Sequence, residues 1–492
     1  MTDYSTARIE QAMAAIKRYI DAEMGRSAES VMGRTSSFWK VEFAARPNYP
    51  TVSDYLAFRR EGFTHGMADG FSFDLANARA QSLAAEEGHA RRTYEIFRQS
   101  ADPARVAALD EAALGAPFVF EHAGASRSAS FWTNAITALR VKDILDTQGL
   151  SGRPLDMLEI GAGWGCMAQQ LHQLLDMRSY TIIDLPQNLF LSSTYVAATT
   201  NRKLLFARGE EKSVTTDPGT LLCALPGAVP SIGQKYDVVV NSFSLQEMDL
   251  ETVQAYFTWI GQALKEDGVF ISFNSHGKAG VHAPSDYPLG QFQLRGLGMF
   301  RAYPSGLLNT IPYEMILAPR KNGPPPDPVL LDTLCCLMQF GLADDLETIS
   351  AAFTSHTLAV ELDNALRDLS GYFSADRDSR IAALHRTAAA LPKALHAYLS
   401  GLDAFAREDW KAARPLLDAA LDAGLKGFAR LRASAKLAIL TKSKMPPRWD
   451  LDFDARQAYP ELAEMLDQAN PNPFTVQFNR IVSVELPMRK RA

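Results

Sequence analysis

From residue 155 onward, short apolar runs alternate with stretches of helical period. The runs LDMLEIG, SYTIIDLP, LLFARGE, YDVVVNSF and GVFISFN are strand-length and rich in branched or aromatic residues. The intervals between the clearest runs are long enough for helices. That alternation predicts a parallel, doubly wound α/β sheet. After FISFN the chain turns polar and Gly/Pro-punctuated over 274–298, and GMFRAYPSG and YEMILAPR then supply two closing strands.

The flanks have a different texture. Residues 1–150 are mostly helical in pattern, with helical spacing in STARIEQAMAAIKRYIDAEM, QSLAAEEGHARRTYEIFRQS and SASFWTNAITALRVKDILDTQGL. Between the first two lies an aromatic- and arginine-rich stretch, SSFWKVEFAARPNYPTVSDYLAFRREGFTHGMADG, that fits neither period. The proline run KNGPPPDP at 321–328 continues neither helix nor sheet and marks a linker. Beyond it the chain is Ala/Leu-rich with helical spacing. LSGLDAFAREDWKAARPLLDAALDAG resembles one tetratricopeptide helix pair, with Gly401, Ala413, Leu417 and Ala420 at its small and large positions. A solenoid needs about three such repeats, and no second copy is found. Three parts are therefore expected: a helical N-terminal cap at 1–150, an α/β domain at 151–322, and an α-helical C-terminal domain at 323–492 with one hairpin of this kind.

Composition narrows the function classes. The 492 residues are 47% hydrophobic and 22% charged, with net charge −6. That balance lacks the electrostatic footprint of a nucleic-acid binder. Four cysteines are too few and too scattered for a disulfide scaffold or a zinc knuckle. The N-terminus has no apolar core of a signal peptide and no window reaches a membrane span, so a cytoplasmic location is expected.

The chemistry concentrates in LEIGAGWG. Gly161, Gly163 and Gly165 follow a strand and open a helix, where a sharp turn and a closely approaching ligand both exclude a Cβ. Asp184 closes the next strand, 19 residues after Gly165, placed to accept both ribose hydroxyls of a nucleoside. Cys166 stands where a dinucleotide fingerprint has its third glycine, and the acidic Glu159 precedes the turn. A carboxylate there suits an ammonium or sulfonium better than a pyrophosphate. Both features favour S-adenosylmethionine as the cofactor over a dinucleotide.

LEIGAGWG, IIDLP, YDVVVNSFSLQEM and ALKEDGVFISFN together resemble the successive cofactor motifs of class I S-adenosylmethionine-dependent methyltransferases. With YPTVSDYLAFRREGFTHGMADG upstream, they resemble more specifically a bacterial family of sugar O-methyltransferases from polysaccharide and glycan loci. The resemblance implies a Rossmann-like seven-stranded methyltransferase core and methyl transfer to a sugar or glycan hydroxyl. It implies that Gly161, Ala162, Gly163 and Gly165 form the methionine-side loop, and that Asp184 binds ribose. It also implies Leu185 against adenine, Glu210 at the adenine edge, and Asn241 and Ser242 lining the floor between cofactor and acceptor.

A sugar hydroxyl is a weak nucleophile that loses its proton on attack, so a general base is expected. Two loops leave carboxyl ends of strands with suitable groups: NSFSLQEMD and NSHGKAGVHAPSDYP. His276, whose ordinary pKa lies near working pH, is the first candidate base and Glu247 the second. His276 reads equally as a solvated loop histidine, and Glu247 as a helix-start acid. Gln246, Asn274, His282 and Tyr287 are candidate acceptor contacts. Glu247, Asp249 and His276 contain the groups for a divalent ion but no dedicated ligand spacing, so no metal is assigned. Partners are a small-molecule or glycan acceptor, with the C-terminal helices open to self-association or a protein partner. An NAD(P)-dependent oxidoreductase and a catalytically silent scaffold remain the alternatives.

Overall fold

The structure is a computed structural model. Its described residues are 6–36, 39–40, 49–61, 87, 90–91, 93–95, 97–98, 103–106, 109–122, 124–211, 213–276, 287–300, 311–320, 393–424, 433, 437 and 440–441. The chain forms two compact units: one of Met1–His282, Tyr287–Gly296 and Phe300–Pro325, and one made chiefly of Pro326–Ala492.

The first unit opens with α1 (Thr6–Glu29) and the short α2 (Val52–Leu56) and α3 (Phe58–Glu61). A two-stranded ribbon, β1 (Phe120–His122) and β2 (Ala125–Arg127), leads into α4 (Ala129–Thr147). Ser128 starts α4 by accepting the Phe131 amide at 3.1 Å, satisfying one of the orphan donors of the first turn. The expected alternation then follows: β3 (Leu155–Ile160), α5 (Cys166–Leu174), β4 (Met177–Ile183), α6 (Pro186–Thr200), β5 (Lys203–Phe206) and β6 (Thr220–Ala224). It continues through β7 (Tyr236–Ser242), α7 (Leu250–Ala263), β8 (Leu264–His276), β9 (Phe292–Met299) and β10 (Ile311–Pro319).

The sheet order is β5-β6-β4-β3-β7-β8-β10-β9. The pairs from β5 to β8 are parallel, and β10 runs antiparallel to β8. All six residues of β3 are buried, as a central parallel strand covered on both faces requires. This is a doubly wound, Rossmann-like arrangement with eight strands among the described residues, where seven were expected. The missed strand is β6, TLLCA, hidden in a run that continues into LPGAVP; the anticipated third strand, LLFARGE, overlaps β5 at the sheet edge instead. The first closing strand also lies earlier than GMFRAYPSG, most of which is outside the described residues.

The two ends of the sheet are polar in different ways. At the amino ends, Asp156 is ion-paired with Arg178 and, at 2.9 Å, with Lys265. Asp237 pairs with the same Lys265 at 2.7 Å and with Arg153 at 2.9 Å. These charges are matched within the fold. In the second unit, α8 (Lys393–Ala406) and α9 (Trp410–Asp422) pack so closely that a Cβ on Gly401 would meet Leu417 Cδ2 at 2.8 Å. Ala413, Leu417 and Ala420 are fully buried in that pair. Among the described residues no helix is long and apolar enough to cross a membrane.

Candidate functional site

In an open α/β sheet, ligands bind beyond the carboxyl ends of the strands, where the winding direction reverses. Here β3 leads outward to β4 and β6 on one side, and β7 and β8 lie on the other. The switch point is therefore between β3 and β7. The residues leaving those two strands are the Gly161–Gly165 turn and the segment from Asn241 to Glu247.

The turn is built on left-handed backbone. Gly161, Gly163 and Gly165 have φ of 77°, 59° and 97°. At Gly161 a Cβ would fall 2.2 Å from Ser244 Oγ, so the turn and the β7 loop meet face to face. At Gly165 it would fall 3.1 Å from the Ser192 carbonyl, where α5 starts against α6. Cys166 is buried at the first position of α5.

Asp184 meets the turn directly. The Gly163 amide donates to its Oδ2 at 3.2 Å, and the Leu185 amide to its Oδ1 at 2.7 Å. Burial pushes its carboxyl up to about 7, against the opposing pull of hydrogen bonds from Leu185, Asn188, Gly163 and Ala162. Glu159 lies one layer deeper, 1% exposed, with the Tyr180 hydroxyl donating to Oε2 at 2.6 Å. Burial, reinforced by the nearby Asp184 charge, pushes Glu159 up to about 8 despite that hydrogen bond. Tyr180 is itself covered by the His172 ring at 4.8 Å. In the first turn of α6, the Gln187 amide oxygen is buried without a hydrogen-bond partner among the described residues.

The floor is a buried amide network. Asn241 donates from Nδ2 to the Ile160 carbonyl at 3.0 Å and to Ser244 Oγ, and Ser244 Oγ also bonds that carbonyl at 3.0 Å. Asn274 donates to Asn241 Oδ1 at 3.0 Å and accepts the Gln246 amide at 3.1 Å. Phe243, next to Ser242, holds φ of 59°, a strained value for a non-glycine residue. Glu247 ends the loop, its Oε2 accepting the Trp39 indole N–H at 3.1 Å. Trp39 comes from SSFWK, at the start of the aromatic-rich stretch that fits neither the helical nor the strand period.

The switch point thus gathers Glu159, Gly161, Ala162, Gly163, Gly165, Asp184, Leu185, Asn241, Ser242, Gln246, Asn274 and Glu247. The Asn274 side chain is wholly buried in the network rather than presented to a crevice. Tyr287 is buried, stacked on Phe257 at 4.9 Å and hydrogen-bonded to the Tyr313 hydroxyl at 2.9 Å, inside the packing of α7 on the sheet. Glu210 is not brought to Asp184. It follows the edge strand β5, with β6 standing between β5 and β4, and its exposed side chain faces Arg26 of α1 at 3.7 Å. The neighbour of β4 is β6, so the carboxyl end closest to Asp184 on that side is Ala224–Leu225. His282 and the His276 side chain lie outside the described residues; the His276 backbone pairs with Ile311 at the end of β8. Among the described residues no three His, Cys, Asp or Glu side chains are grouped to hold a metal.

Ser244 and Trp164 are members of this region that the motifs did not single out. Ser244 is displayed only by the contact across β3 and β7. Trp164, inside GAGWG, points into the N-terminal segments: its ring lies 4.4 Å from the Arg59 guanidinium carbon and edge-on to Tyr195 at 4.9 Å.

The residues present suit a nucleoside-bearing cation. Two hydroxyls would find an acid at the end of β4, the glycine turn admits close backbone approach, and the Asp184 carboxylate favours positive charge over phosphate.

No protein-family model matches the chain, and no curated protein sequence matches it. Among solved structures, magnesium protoporphyrin IX methyltransferase from Synechocystis PCC 6803 with bound S-adenosylmethionine is 14% identical, over 40% of this chain and 87% of that one, with a TM-score of 0.28. An S-adenosylmethionine-dependent methyltransferase from Clostridium acetobutylicum is 12% identical over 37% and 89%, TM-score 0.28. TrmN from Thermus thermophilus is 16% identical over 40% and 55%, TM-score 0.28.

Proposed function

We propose that the chain is an S-adenosylmethionine-dependent methyltransferase acting on a hydroxyl of a sugar or glycan intermediate. The observation that carries the donor assignment is the joint between the turn after β3 and the end of β4, where the Gly163 amide meets the Asp184 carboxylate. The sugar class is supported by the resemblance of the cofactor motifs and of YPTVSDYLAFRREGFTHGMADG to sugar O-methyltransferases.

When bound, S-adenosylmethionine supplies a sulfonium-activated methyl group for in-line displacement by the acceptor oxygen. The protein's part is to bind and align. Asp184 accepts the ribose hydroxyls, the Gly161–Gly165 backbone admits the methionine portion, and Leu185 packs against the base. Asn241 and Ser242 form the floor under the reacting atoms, held flat by the Asn274 and Ser244 hydrogen bonds. Holding donor and acceptor collinear at contact distance supplies much of the rate. His276 and Glu247 are the groups assigned to take the hydroxyl proton, Glu247 being oriented by the Trp39 indole.

Calorimetric titration with S-adenosylmethionine and S-adenosylhomocysteine tests the donor assignment. Binding in the micromolar range, abolished in Asp184→Ala, is the expected result. Absence of binding by both at high micromolar concentration overturns it, and binding of NAD(H) in their place establishes the oxidoreductase alternative. Incubation of labelled S-adenosylmethionine with nucleotide sugars and lipid-linked glycans tests the acceptor class; label transferred only to a non-sugar acceptor overturns that part.

A further inference from the structure

A buried charge with no part in the proposed methyl transfer stands beside the glycine turn. Arg59, in α3, is 0% exposed. Its Nη2 is ion-paired with the Glu111 carboxylate and donates to Ser128 Oγ at 2.8 Å, while Nη1 donates to the Ala112 carbonyl at 3.2 Å. Glu111 in turn accepts the Ser128 amide at 2.8 Å and the Ser128 hydroxyl at 2.5 Å. The set ties α3, the 109–116 segment and the start of α4 together. Backbone closes around it: the Arg59 amide donates to the Gly115 carbonyl at 3.0 Å, and a Cβ on Gly115 would meet the Phe58 ring at 2.6 Å.

The guanidinium then lies over Trp164, 4.4 Å from the ring centroid, with Phe58 and Tyr195 edge-on at 5.8 and 4.9 Å. Stability alone does not account for a charge pair here, because well-packed apolar residues in a buried site are commonly as stable. What arginine adds is direction. Its planar group stacks on an indole while its fork is aimed by fixed acceptors. Trp164 is the one large side chain in a turn otherwise made of Gly161, Ala162, Gly163 and Gly165. Glycine backbone is conformationally permissive, so fixing the indole fixes the turn, including the Gly163 amide that meets Asp184.

We propose that Arg59 is a positioning residue for the methyl-donor site, setting the conformation of the Gly161–Gly165 turn through Trp164. The proposal rests on the donor reading given above, but its first readout does not need a ligand.

The test compares wild-type full-length protein with Arg59→Lys and Trp164→Leu. It reads hydrogen exchange of residues 160–166 by mass spectrometry and S-adenosylhomocysteine affinity by calorimetry. In folded Arg59→Lys, exchange in 160–166 accelerates while β7 keeps its wild-type rate, and Kd rises about tenfold, the scale of one desolvated cation–π contact. Trp164→Leu gives the same two changes and carries the test if Arg59→Lys does not fold. Unchanged exchange in 160–166, acceleration spread evenly over all strands, or local acceleration with unchanged Kd each overturns the proposal. Local acceleration in a protein whose wild type binds no S-adenosylhomocysteine upholds Arg59 as the holder of the turn and overturns the donor reading instead.

Discussion

The Gly163 amide donates to Oδ2 of Asp184 at 3.2 Å, so the glycine turn after β3 and the acid after β4 behave as one unit. The carboxylate form is the one that accepts both this amide and a pair of ribose hydroxyls. Asp184 is pushed up to about 7, so that form is lost as pH falls through neutrality. Donor affinity should therefore rise as pH climbs through about 7 and level off above it. For a single titrating group, the difference between pH 6 and pH 8 is about tenfold. Asp184→Asn removes the titration and weakens binding at pH 8 by about 1.5–3 kcal/mol, the scale of hydrogen bonds to a charged acceptor. Calorimetry across pH 6–8 on both proteins checks the slope and its disappearance.

Glu159 predicts a stability effect of the opposite kind. Its folded carboxyl titrates near 8, above its unfolded value of 4.5, so the folded state holds the proton more tightly. Its contribution is fully present below about pH 4.5 and is lost as pH rises to about 8. Glu159→Gln has nothing to lose over that window and keeps an oxygen for the Tyr180 hydroxyl. The variant should match wild type near pH 4 and be the more stable protein at pH 9. Each tenfold difference in proton affinity between the folded and unfolded states is worth about 1.4 kcal/mol, which makes the gap on the order of a few kcal/mol. Urea unfolding at the two pH values measures it.

These two acids show which parts of the site a linear sequence displays. Asp184 and the glycines are separated by one helix and one strand, and strand, turn, helix, strand and acid follow in an order that local pattern alone reveals. Glu159 was legible as an acid before the turn, but not as a side chain sealed beneath it by Tyr180. Sheet order was partly hidden: two short apolar runs, LLFARGE and TLLCALP, stand close together, and spacing does not say which lies beside β4. That ambiguity is why Glu210 was expected at the adenine edge, when the strand it follows lies at the sheet edge. The partners of Trp164 and Glu247 were invisible for a simpler reason. Arg59 and Trp39 reach them from more than a hundred residues away, out of an aromatic segment with no helical or strand period to read.

Gly161 should tolerate no side chain. Its φ of 77° costs an L-residue about 1–2 kcal/mol, and an added Cβ falls 2.2 Å from Ser244 Oγ and 2.4 Å from Ser244 Cβ. Ser244 cannot step aside freely because it holds the Ile160 carbonyl and Asn241. Gly161→Ala should therefore lose more stability than backbone strain alone, and lose donor binding with it. In Gly161→Ala/Ser244→Gly the collision is gone and only the strain and the lost Ser244 hydrogen bonds remain, so the double variant should be more stable than the sum of the single effects. A double-mutant cycle by chemical denaturation reads this coupling. Strict additivity would show that the two residues do not press on each other.

Tyr19 tests whether α1 is part of the sheet's carboxyl edge or merely lies near it. Its hydroxyl donates to the Ala207 carbonyl at 2.7 Å and accepts the Leu225 amide at 2.9 Å, joining the ends of β5 and β6. Its ring stacks on Phe206 at 4.8 Å. Burial raises the phenol well above its ordinary pKa, so it stays neutral and able to bridge both groups across the working pH range. Tyr19→Phe keeps the stacking but strands a buried donor and a buried acceptor, each costing about 1–3 kcal/mol. The expected loss is at the upper part of that range, with faster amide exchange at Leu225. Lys17, two residues away on the same helix, is the control. Its ion pair with Asp21 is about half exposed on both sides, and Lys17→Ala should change stability by less than about 1 kcal/mol. Equal losses in the two variants would mean that α1 contributes only a covering surface, and that β5 and β6 hold their own ends.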